Sequence, residues 1–296
     1  MTKNQSIVRG AGFIVASELS FAFSAAIIKQ VSISLPNESI VFFRNLFGLL
    51  ILLPLLLNAG SKILHTDNLK LHLARAGFGM GAMYCFFYSI AHISLADSVL
   101  IKSTIPLIIP FVSLIWLRES LTRRVIVAGI LGFIGVFLIL EPNGETDWAS
   151  LVALVSSIMA AFAFVTVRRM SVTEPPLRIV AYFAIFGLSI SSIPLVWAWQ
   201  TPTAIEYLML LGIGLTTTIG QLMLTRGYQN APASSVGIFT YTSVPFGTFL
   251  GWLFFEEILD INSLFGAVLI VLAGWIILGS KVVAPQVDVA DKSRAR

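Results

Sequence analysis

Three charged side chains, Glu18, Arg44 and Lys102, stand inside long apolar runs of the sequence. A charge at the centre of a hydrocarbon layer costs about 2.5 to 3.5 kcal/mol even on permissive insertion scales, so such residues are expected to face a cavity or a partner. A carboxylate accepts hydrogen bonds from an ammonium group, whereas lysine and arginine bind carboxylates and phosphates. The chemistry that these residues indicate is recognition of a small charged molecule.

Each of the three residues has two interpretations. Glu18, near the middle of its run, is predicted to bind a proton or a substrate amine, or else to form an interhelical hydrogen bond or a pair with Lys102. Lys102 lies about 10 Å inside its run at 1.5 Å per residue, too deep for easy snorkelling, so it faces a cavity or forms a structural pair. Arg44 either contacts the substrate with its planar guanidinium or snorkels to the headgroups.

Other polar and aromatic residues near these charges are candidates for the same cavity. Tyr84, Tyr88 and Tyr241 combine a ring with a hydroxyl group and are predicted to contact the substrate. Lys29, at the end of its run, is expected to lie at the interface, and Asp97 is expected to cap a helix.

The composition indicates that the segments which position these residues lie in a lipid bilayer. Hydrophobic residues make up 57% of the chain and charged residues only 11%, against about 25% charged residues in soluble domains. Cys85 is the only cysteine, which excludes an intrachain disulfide and a cysteine metal cluster. The net charge of +4 comes from basic residues in short gaps between apolar runs, a pattern typical of membrane orientation and not of a nucleic-acid surface.

The apolar runs predict ten membrane-spanning helices, because about 20 apolar residues are needed to cross a bilayer. The predicted spans are Val8–Ile28, Ser39–Leu57, His72–Ile90, Leu95–Leu117, Val125–Leu140, Trp148–Val167, Leu177–Trp197, Ile205–Leu224, Ala233–Phe255 and Ser263–Leu278. Residues 284–296 form a polar tail that is expected to be cytoplasmic.

Basic residues predict the orientation of these spans, because loops rich in lysine and arginine stay in the cytoplasm. With both termini inside, 16 of the 19 basic residues fall on the cytoplasmic side. Arg75 is one of these 16. The exceptions are Lys29, Arg44 and Lys102.

The sequence repeats itself in its second half. The segment ESLTRRVIVAGILGFIGVFLIL (119–140) returns as EILDINSLFGAVLIVLAGWIIL (257–278), and FGLLILLP (47–54) returns as FGLSISSIP (186–194). We therefore predict two repeats, residues 1–141 and 142–283. Five spans per repeat is an odd number, so the repeats must be inverted, an architecture associated with a midplane site and alternating access.

The repeats resemble the drug/metabolite transporter superfamily, specifically its EamA-domain type. The resemblance rests on IPLIIPFVSLIWLRESL and VPFGTFLGWLFFEEIL, and on AHISLADSVLIKSTIP matched by YQNAPASSVGIFTYTSVP before Pro106 and Pro245. It covers essentially the whole chain and implies a ten-helix transporter with a central cavity formed by both halves. Family substrates range over amino acids, nucleotide sugars, cofactors and drugs.

The sequence predicts no enzyme, because it has no zinc-helix, nucleophile-elbow or phosphate-loop motif, and it predicts no catalytic residue, metal or cofactor. The glycine-rich run RAGFGMG (75–81) lies within a span, where Gly77 and Gly81 have the spacing that lets helices approach closely.

Together these observations predict an all-α integral membrane protein, expected in the bacterial inner membrane, that works as a secondary transporter. Its partners are the lipid bilayer and a small polar substrate, an amino-acid-like zwitterion in the first hypothesis. In that hypothesis Glu18 binds the ammonium and Lys102 or Arg44 binds the carboxylate. The alternatives are an organic-anion or nucleotide-type metabolite, held by Lys102 and Arg44 together, or a channel. A proton or an exchanged metabolite is the expected coupling species, and no nucleic acid is expected.

Overall fold

The structure, a computed structural model, describes residues 7–117, 123–140, 148–170, 173–230, 237–258 and 261–278. Every regular element in these ranges is helical. The α-helices are α1 (Ile7–Val31), α2 (Asn37–Ala59), α3 (Leu69–His92), α4 (Leu95–Lys102), α5 (Ile105–Leu117), α6 (Arg123–Leu140), α7 (Trp148–Met170), α8 (Pro176–Ser192), α9 (Leu195–Ala198), α10 (Ala204–Asn230), α11 (Ser243–Phe255) and α12 (Ile261–Leu278). Two 3₁₀ segments span Ser61–Leu64 and Gly237–Thr242.

The length and surface of these helices show an integral membrane protein. Five described segments are long and apolar enough to cross a bilayer: Val8–Val31, Asn37–Ala59, Leu95–Trp116, Trp148–Val167 and Ala204–Leu224. Three shorter apolar helices accompany them, at Ile126–Gly135, Pro176–Ser192 and Ile261–Ala273. Large apolar side chains such as Leu208, Phe265 and Trp275 are more than 60% exposed, which suits a surface that faces lipid.

Three of the predicted spans are broken next to a proline. The seventh divides into α8 and α9 at Ile193–Pro194; the other two, in the fourth and ninth spans, are named the helix breaks. The fourth divides into α4 and α5 at Ser103–Thr104, directly before Pro106. In the described part of the ninth, the 3₁₀ segment Gly237–Thr242 is followed by α11, which contains Pro245 near its start. Proline has no N–H for the carbonyl four residues earlier, and its ring crowds that carbonyl, so each proline interrupts the hydrogen-bond ladder.

The broadest helix contacts join the two halves of the chain. The most extensive ones pair α1 with α10, α3 with α7, and α6 with α12. Exchanging α1 with α7 and α3 with α10 converts the first pair into the second. If α2 is also exchanged with α8, the contact of α2 with α10 becomes the contact of α8 with α3. Both contacts are present. The main helix contacts therefore occur in matched pairs under this exchange.

Glycines permit several of these close approaches, though not all the predicted ones. An added Cβ at Gly135 would lie 2.7 Å from the carbonyl oxygen of Gly266, so α6 and α12 touch through their backbones. Gly81 packs against Met159 as the spacing predicts, but nothing lies within 4 Å of a Cβ at Gly77. The prediction for Gly77 was wrong, because this glycine is exposed at a level of α3 where no described residue packs on it, whereas Gly79 is in close contact with Phe183.

Polar contacts tie the loops together at the end of the molecule that carries residues 32–36. Lys29 forms an ion pair with Glu257 at 2.5 Å and donates to the carbonyl of Ile93 at 2.8 Å. The other oxygen of Glu257 accepts the backbone N–H of Leu95 at 2.8 Å. Lys29 therefore lies at a helix end, as predicted, but it joins three loops and not only the interface.

Glu174 organises the opposite end of the molecule, which carries residues 60–68. Its carboxylate accepts hydrogen bonds from Thr66 at 2.7 Å, Asn68 at 2.9 Å and Arg178 at 2.7 Å. Burial by itself would raise the pKa of Glu174, but these hydrogen bonds and the charge of Arg178 hold that pKa at about 2. Arg178 also donates to the carbonyl of Ile63, so the carboxylate and its partners fasten the α2–α3 connection to α8.

Candidate functional site

Glu18 of α1 and Lys102 of α4 face each other inside the helix bundle. The Lys102 ammonium lies 4.0 Å from Glu18 Oε2, 5.1 Å from the ring centroid of Phe21 and 5.4 Å from that of Phe86. The Glu18 side chain is 8% exposed and the Lys102 side chain 29% exposed. Because 4.0 Å exceeds hydrogen-bond distance, the two charges attract each other without a direct bond, and the lysine stays accessible to a further group.

The two helix breaks meet beside this pair. Ser103 Oγ, at the first break, lies 3.2 Å from Ser243 Oγ at the start of α11. Ser103 already donates its one hydroxyl proton to the carbonyl of Val99 at 2.9 Å, so Ser243 is the donor between the two serines. The carbonyl of Ile101 accepts the hydroxyl of Ser157 from α7 at 3.0 Å. Side chains from both halves thus satisfy polar groups at the breaks.

The three predicted tyrosines lie at different places in the protein. Tyr84 and Tyr241 have buried hydroxyl groups without a hydrogen-bond partner in the described ranges. Tyr241 packs in an apolar cluster with Leu100, close to the first break. Tyr88 stacks on His92 with the ring centroids 4.0 Å apart. Tyr84 and Tyr241 can therefore offer a hydroxyl to a ligand, whereas the ring of Tyr88 is engaged near the end of α3.

Arg44 lies inside the protein and does not snorkel to the headgroups. The residue is 7% exposed, and its Nη1 donates to Asn45 Oδ1 at 2.7 Å. Its Cζ lies 5.6 Å from the ring centroid of Phe183, the residue at the equivalent position of the second repeat. The structure therefore brings the two equivalent positions into contact, and a role for Arg44 in binding stays a prediction.

Arg75 was missed as a candidate because its position near the start of a span placed it with the surface basic residues. It is 8% exposed, and its Cζ lies 4.2 Å from the ring centroid of Phe183. Its Nη1 lies against Gly79, one turn further into α3, so the side chain points inward and not toward the headgroups. The sequence carried one signal, since a glycine four residues after an arginine leaves room on the same helix face.

Asp97 takes part in a helix cap, but Ser94 is the capping residue. Ser94 Oγ accepts the N–H of Asp97 at 2.9 Å and donates to its carboxylate at 2.6 Å. The other carboxylate oxygen accepts the hydroxyl of Ser263 from α12 at 2.8 Å. This reciprocal arrangement fixes the start of α4 and, with it, the position of Lys102 at the helix end.

A surface cavity of about 620 Å³ lies elsewhere, at the end that carries residues 60–68. Its lining includes Lys62, Asn68 and Glu174. Three donors already satisfy the Glu174 carboxylate, so this cavity is best explained as the open space beside a structural joint. The enclosed charges near the helix breaks therefore remain the better candidate for the functional site.

The apolar helices and the charged, enclosed centre define a membrane protein that holds a polar site among its spans. The sequence pattern of the EamA-like transporter family matches residues 8–141 and again residues 147–279. The chain belongs to this family, whose named relatives are transporters and not enzymes.

Several bacterial transporters of known cargo are similar to the chain over most of its length. A pseudopaline exporter of Pseudomonas aeruginosa is 33% identical, covering 88% of this chain and 94% of its own. A riboflavin transporter of Vibrio cholerae is 26% identical, over 90% of this chain and 91% of its own. An S-adenosylmethionine uptake transporter of Rickettsia bellii is 23% identical, over 92% and 94%.

One solved crystal structure has the same fold. It superposes with a TM-score of 0.66 at 16% identity, covering 89% of this chain and 94% of its own. Together the relatives and the family match indicate a membrane transporter of small metabolites.

Proposed function

We propose that the chain is a secondary transporter of the bacterial cell membrane that moves a small zwitterionic metabolite by alternating access. Ten spans in two inverted repeats of five, residues 1–141 and 142–283, with both termini cytoplasmic, form the proposed architecture. The exchange symmetry of the helix contacts supports this arrangement, because α1 with α10 and α3 with α7 are equivalent pairs.

The observation that carries the proposal is the oppositely charged pair at the helix breaks. Glu18 and Lys102 stand 4.0 Å apart, next to the hydroxyl contact of Ser103 with Ser243. In the proposed complex Glu18 takes the ammonium of the substrate and Lys102 takes its carboxylate, each replacing the other as counter-ion. Discontinuous helices near the midplane are the usual place for substrate in transporters built of inverted repeats.

The aromatic rings around Lys102 suit a substrate with an apolar part. Phe21 and Phe86 flank the ammonium, and the unpartnered hydroxyls of Tyr84 and Tyr241 provide further polar contacts. An organic anion is the alternative substrate, since Arg44 and Lys102 are both cationic and, among the described residues, Glu18 is paired with Lys102 alone.

Uptake into proteoliposomes tests the proposal. Purified protein is reconstituted and screened with radiolabelled amino acids and related zwitterions, with and without a proton gradient or internal substrate. Saturable uptake that internal substrate accelerates is expected of a carrier. Uptake that rises linearly with concentration would show a channel, and preference for substrates without an amine would favour the organic-anion alternative.

Glu18→Gln and Lys102→Ala serve as the site variants of this experiment. Arg123→Gln provides the matched control, because Arg123 is an exposed residue at the start of α6. Transport that Lys102→Ala leaves unchanged would exclude both substrate hypotheses.

A further inference from the structure

A second group of buried cations lies apart from the Glu18–Lys102 pair, between α2, α3 and α8. Arg44 and Arg75 stand 5.6 Å and 4.2 Å from the ring centroid of the same residue, Phe183. They are 7% and 8% exposed. Arg44 extends from α2 and Arg75 from α3, and both converge on Phe183 of α8. Two positive charges are thereby enclosed around one aromatic ring.

The protein supplies little to balance these charges. No ion pair in the described ranges includes Arg44 or Arg75, and the one hydrogen bond from either guanidinium goes to the neutral amide of Asn45. The Nε atoms of both arginines are buried without an acceptor. A buried charge without a counter-ion is strongly unfavourable, and the described residues supply no carboxylate to this cluster.

The surroundings hold the two guanidinium groups in a defined arrangement. Asn45 donates to the carbonyl of Val41 at 3.0 Å, which leaves its Oδ1 facing Arg44. An added Cβ at Gly79 would overlap Arg75 Nη1 and the Phe183 ring, and one at Gly187 would lie 2.9 Å from Asn45 Oδ1. The two glycines therefore make room for the arginines and for the amide that orients one of them.

The cluster is aligned with the Lys102 site along α3. Gly79, against which Arg75 lies, and Phe86, over which Lys102 lies, are seven residues apart. Seven residues make two helical turns, so the two positions share one face at a separation of about 10 Å. A ligand of about that length would be needed to contact both positions.

We propose that Arg44 and Arg75 form a second subsite, which binds a further acidic group of the transported molecule, a carboxylate or a phosphate. Guanidinium groups bind both of these groups through paired hydrogen bonds. The inference rests on the proposed transport function and extends it. The cargo carries an ammonium and a carboxylate at the Glu18–Lys102 pair and an additional anion at its far end.

Calorimetric binding to purified protein in detergent tests the subsite without requiring transport. The probes are α-amino acids of increasing length in matched pairs, with and without a terminal carboxylate: glutamate with norvaline, 2-aminoadipate with norleucine, and 2-aminopimelate with 2-aminoheptanoate. A phosphonate arm uses 2-amino-5-phosphonopentanoate. For at least one length, we expect the acidic member to bind about tenfold or more tightly than its neutral partner.

Arg75→Gln and Arg44→Gln are expected to abolish this advantage while the neutral members keep their affinity within about twofold. Arg75→Lys keeps the charge but loses the planar fork, so part of the advantage remains. Gly79→Ala adds a Cβ that would overlap Arg75 Nη1, so it should reduce the advantage of the acidic member without changing any charge. Arg123→Gln is the control. If a glutamine variant fails to fold, the wild-type ratios and the Gly79→Ala protein still decide the result.

A second acidic group that brings no affinity at any length, in either arm, would overturn the subsite, as would an advantage that both glutamine variants retain. The proposed function can fail separately. An arginine-dependent preference in calorimetry combined with no saturable uptake of the same ligand would refute transport and leave the subsite standing. Saturable uptake without the preference would support transport and refute the subsite.

Discussion

The two helix breaks, at residues 102–106 and 241–245, share a backbone device and differ in chemistry. Each has a proline just after the interruption and a serine beside it, and the serines touch at 3.2 Å. Lys102 stands at the first break, whereas the second carries Tyr241. The shared features concern how the chain bends, so they belong to the fold. Lys102 has no charged counterpart at the second break, so we assign it to recognition of the substrate.

Glu18 and Arg44 extend the same contrast. The equivalent of Arg44 is Phe183, against which it packs. Selectivity for charge is therefore expected from the first repeat, while both repeats supply the architecture. Five predictions test this contrast.

The largest effect is expected from removing charge at the first break. Lys102→Ala should lower the rate of transport about a hundredfold or more, because it removes the substrate's counter-ion and leaves Glu18 buried and unpaired. Tyr241→Phe should lower it only a few-fold, since one hydroxyl is lost. Initial rates in proteoliposomes measure both. Equal losses would show that the two breaks contribute alike to recognition.

Glu18→Gln should weaken binding of a zwitterionic substrate about tenfold, because the substrate ammonium loses a charged partner. The same variant should bind the matching carboxylic acid without an amine as well as the wild-type protein does, or better. Calorimetry with both ligands measures the difference. A uniform loss for the two ligands would assign Glu18 a structural role and leave the lysine as the only charge that reads the substrate.

Pro106→Ala and Pro245→Ala should have similar effects, since the prolines perform the same task in the two repeats. Each restores a backbone N–H and permits a continuous helix. We expect transport to fall about fivefold to tenfold and the melting temperature to rise by a few degrees. Thermal unfolding and uptake measure the two quantities. A large effect of one proline alone would show that only one break moves during transport.

Glu174 shows that charge asymmetry is not confined to the first repeat. Its counterpart before Pro36 is Leu35, a buried apolar residue. The folded-state pKa of Glu174, about 2, is below the unfolded value, so its stabilising effect is complete above pH 4.5 and is lost as the pH falls toward 2. Glu174→Gln should lower the neutral-pH melting temperature by a few degrees and flatten its decline between pH 4.5 and 3.

A decline in the Glu174→Gln protein as steep as that of the wild type would mean that other acidic groups cause it. Asp67→Asn, a change in the same connection at a residue with no hydrogen bond to Glu174, provides the control.

The smallest effect concerns the contact between the breaks. Ser103→Ala and Ser243→Ala should each destabilise the protein slightly, with a coupling of about 0.5 to 1.5 kcal/mol in the double mutant, as expected of one neutral hydrogen bond. Unfolding in denaturant measures the cycle. Zero coupling would show that the two breaks only lie close to each other.

Much of the helical framework could be predicted from the sequence, because a lipid solvent demands long apolar helices with satisfied backbones. Pro106 and Pro245 indicate the helix breaks, but Pro54 and Pro110 lie inside α2 and α5 without dividing them, so proline alone does not predict where a helix breaks. The side-chain partners could not be predicted in the same way. Arg75 resembles a surface residue by its position, and only the three-dimensional packing of Phe183 and Gly79 shows that it turns inward.

The pair of Glu18 with Lys102 was one of the alternatives that the sequence left open, since spacing along the chain does not determine which faces of α1 and α4 meet. The ion pair of Lys29 with Glu257 was not predicted at all. It depends on three loops that lie far apart in the sequence.

The pairing of early helices with later ones has a consequence for the synthesis of the protein. The main partner of α1 is α10, and that of α3 is α7, so the first helices leave the ribosome long before their partners exist. Until residues 204–230 have been translated, the face of α1 that packs on α10 must wait exposed to lipid or to a temporary neighbour, and with it Ser20, whose hydroxyl donates to the carbonyl of Thr216 at 2.8 Å. Membrane insertion factors that shelter polar helix faces should therefore matter most for the first repeat.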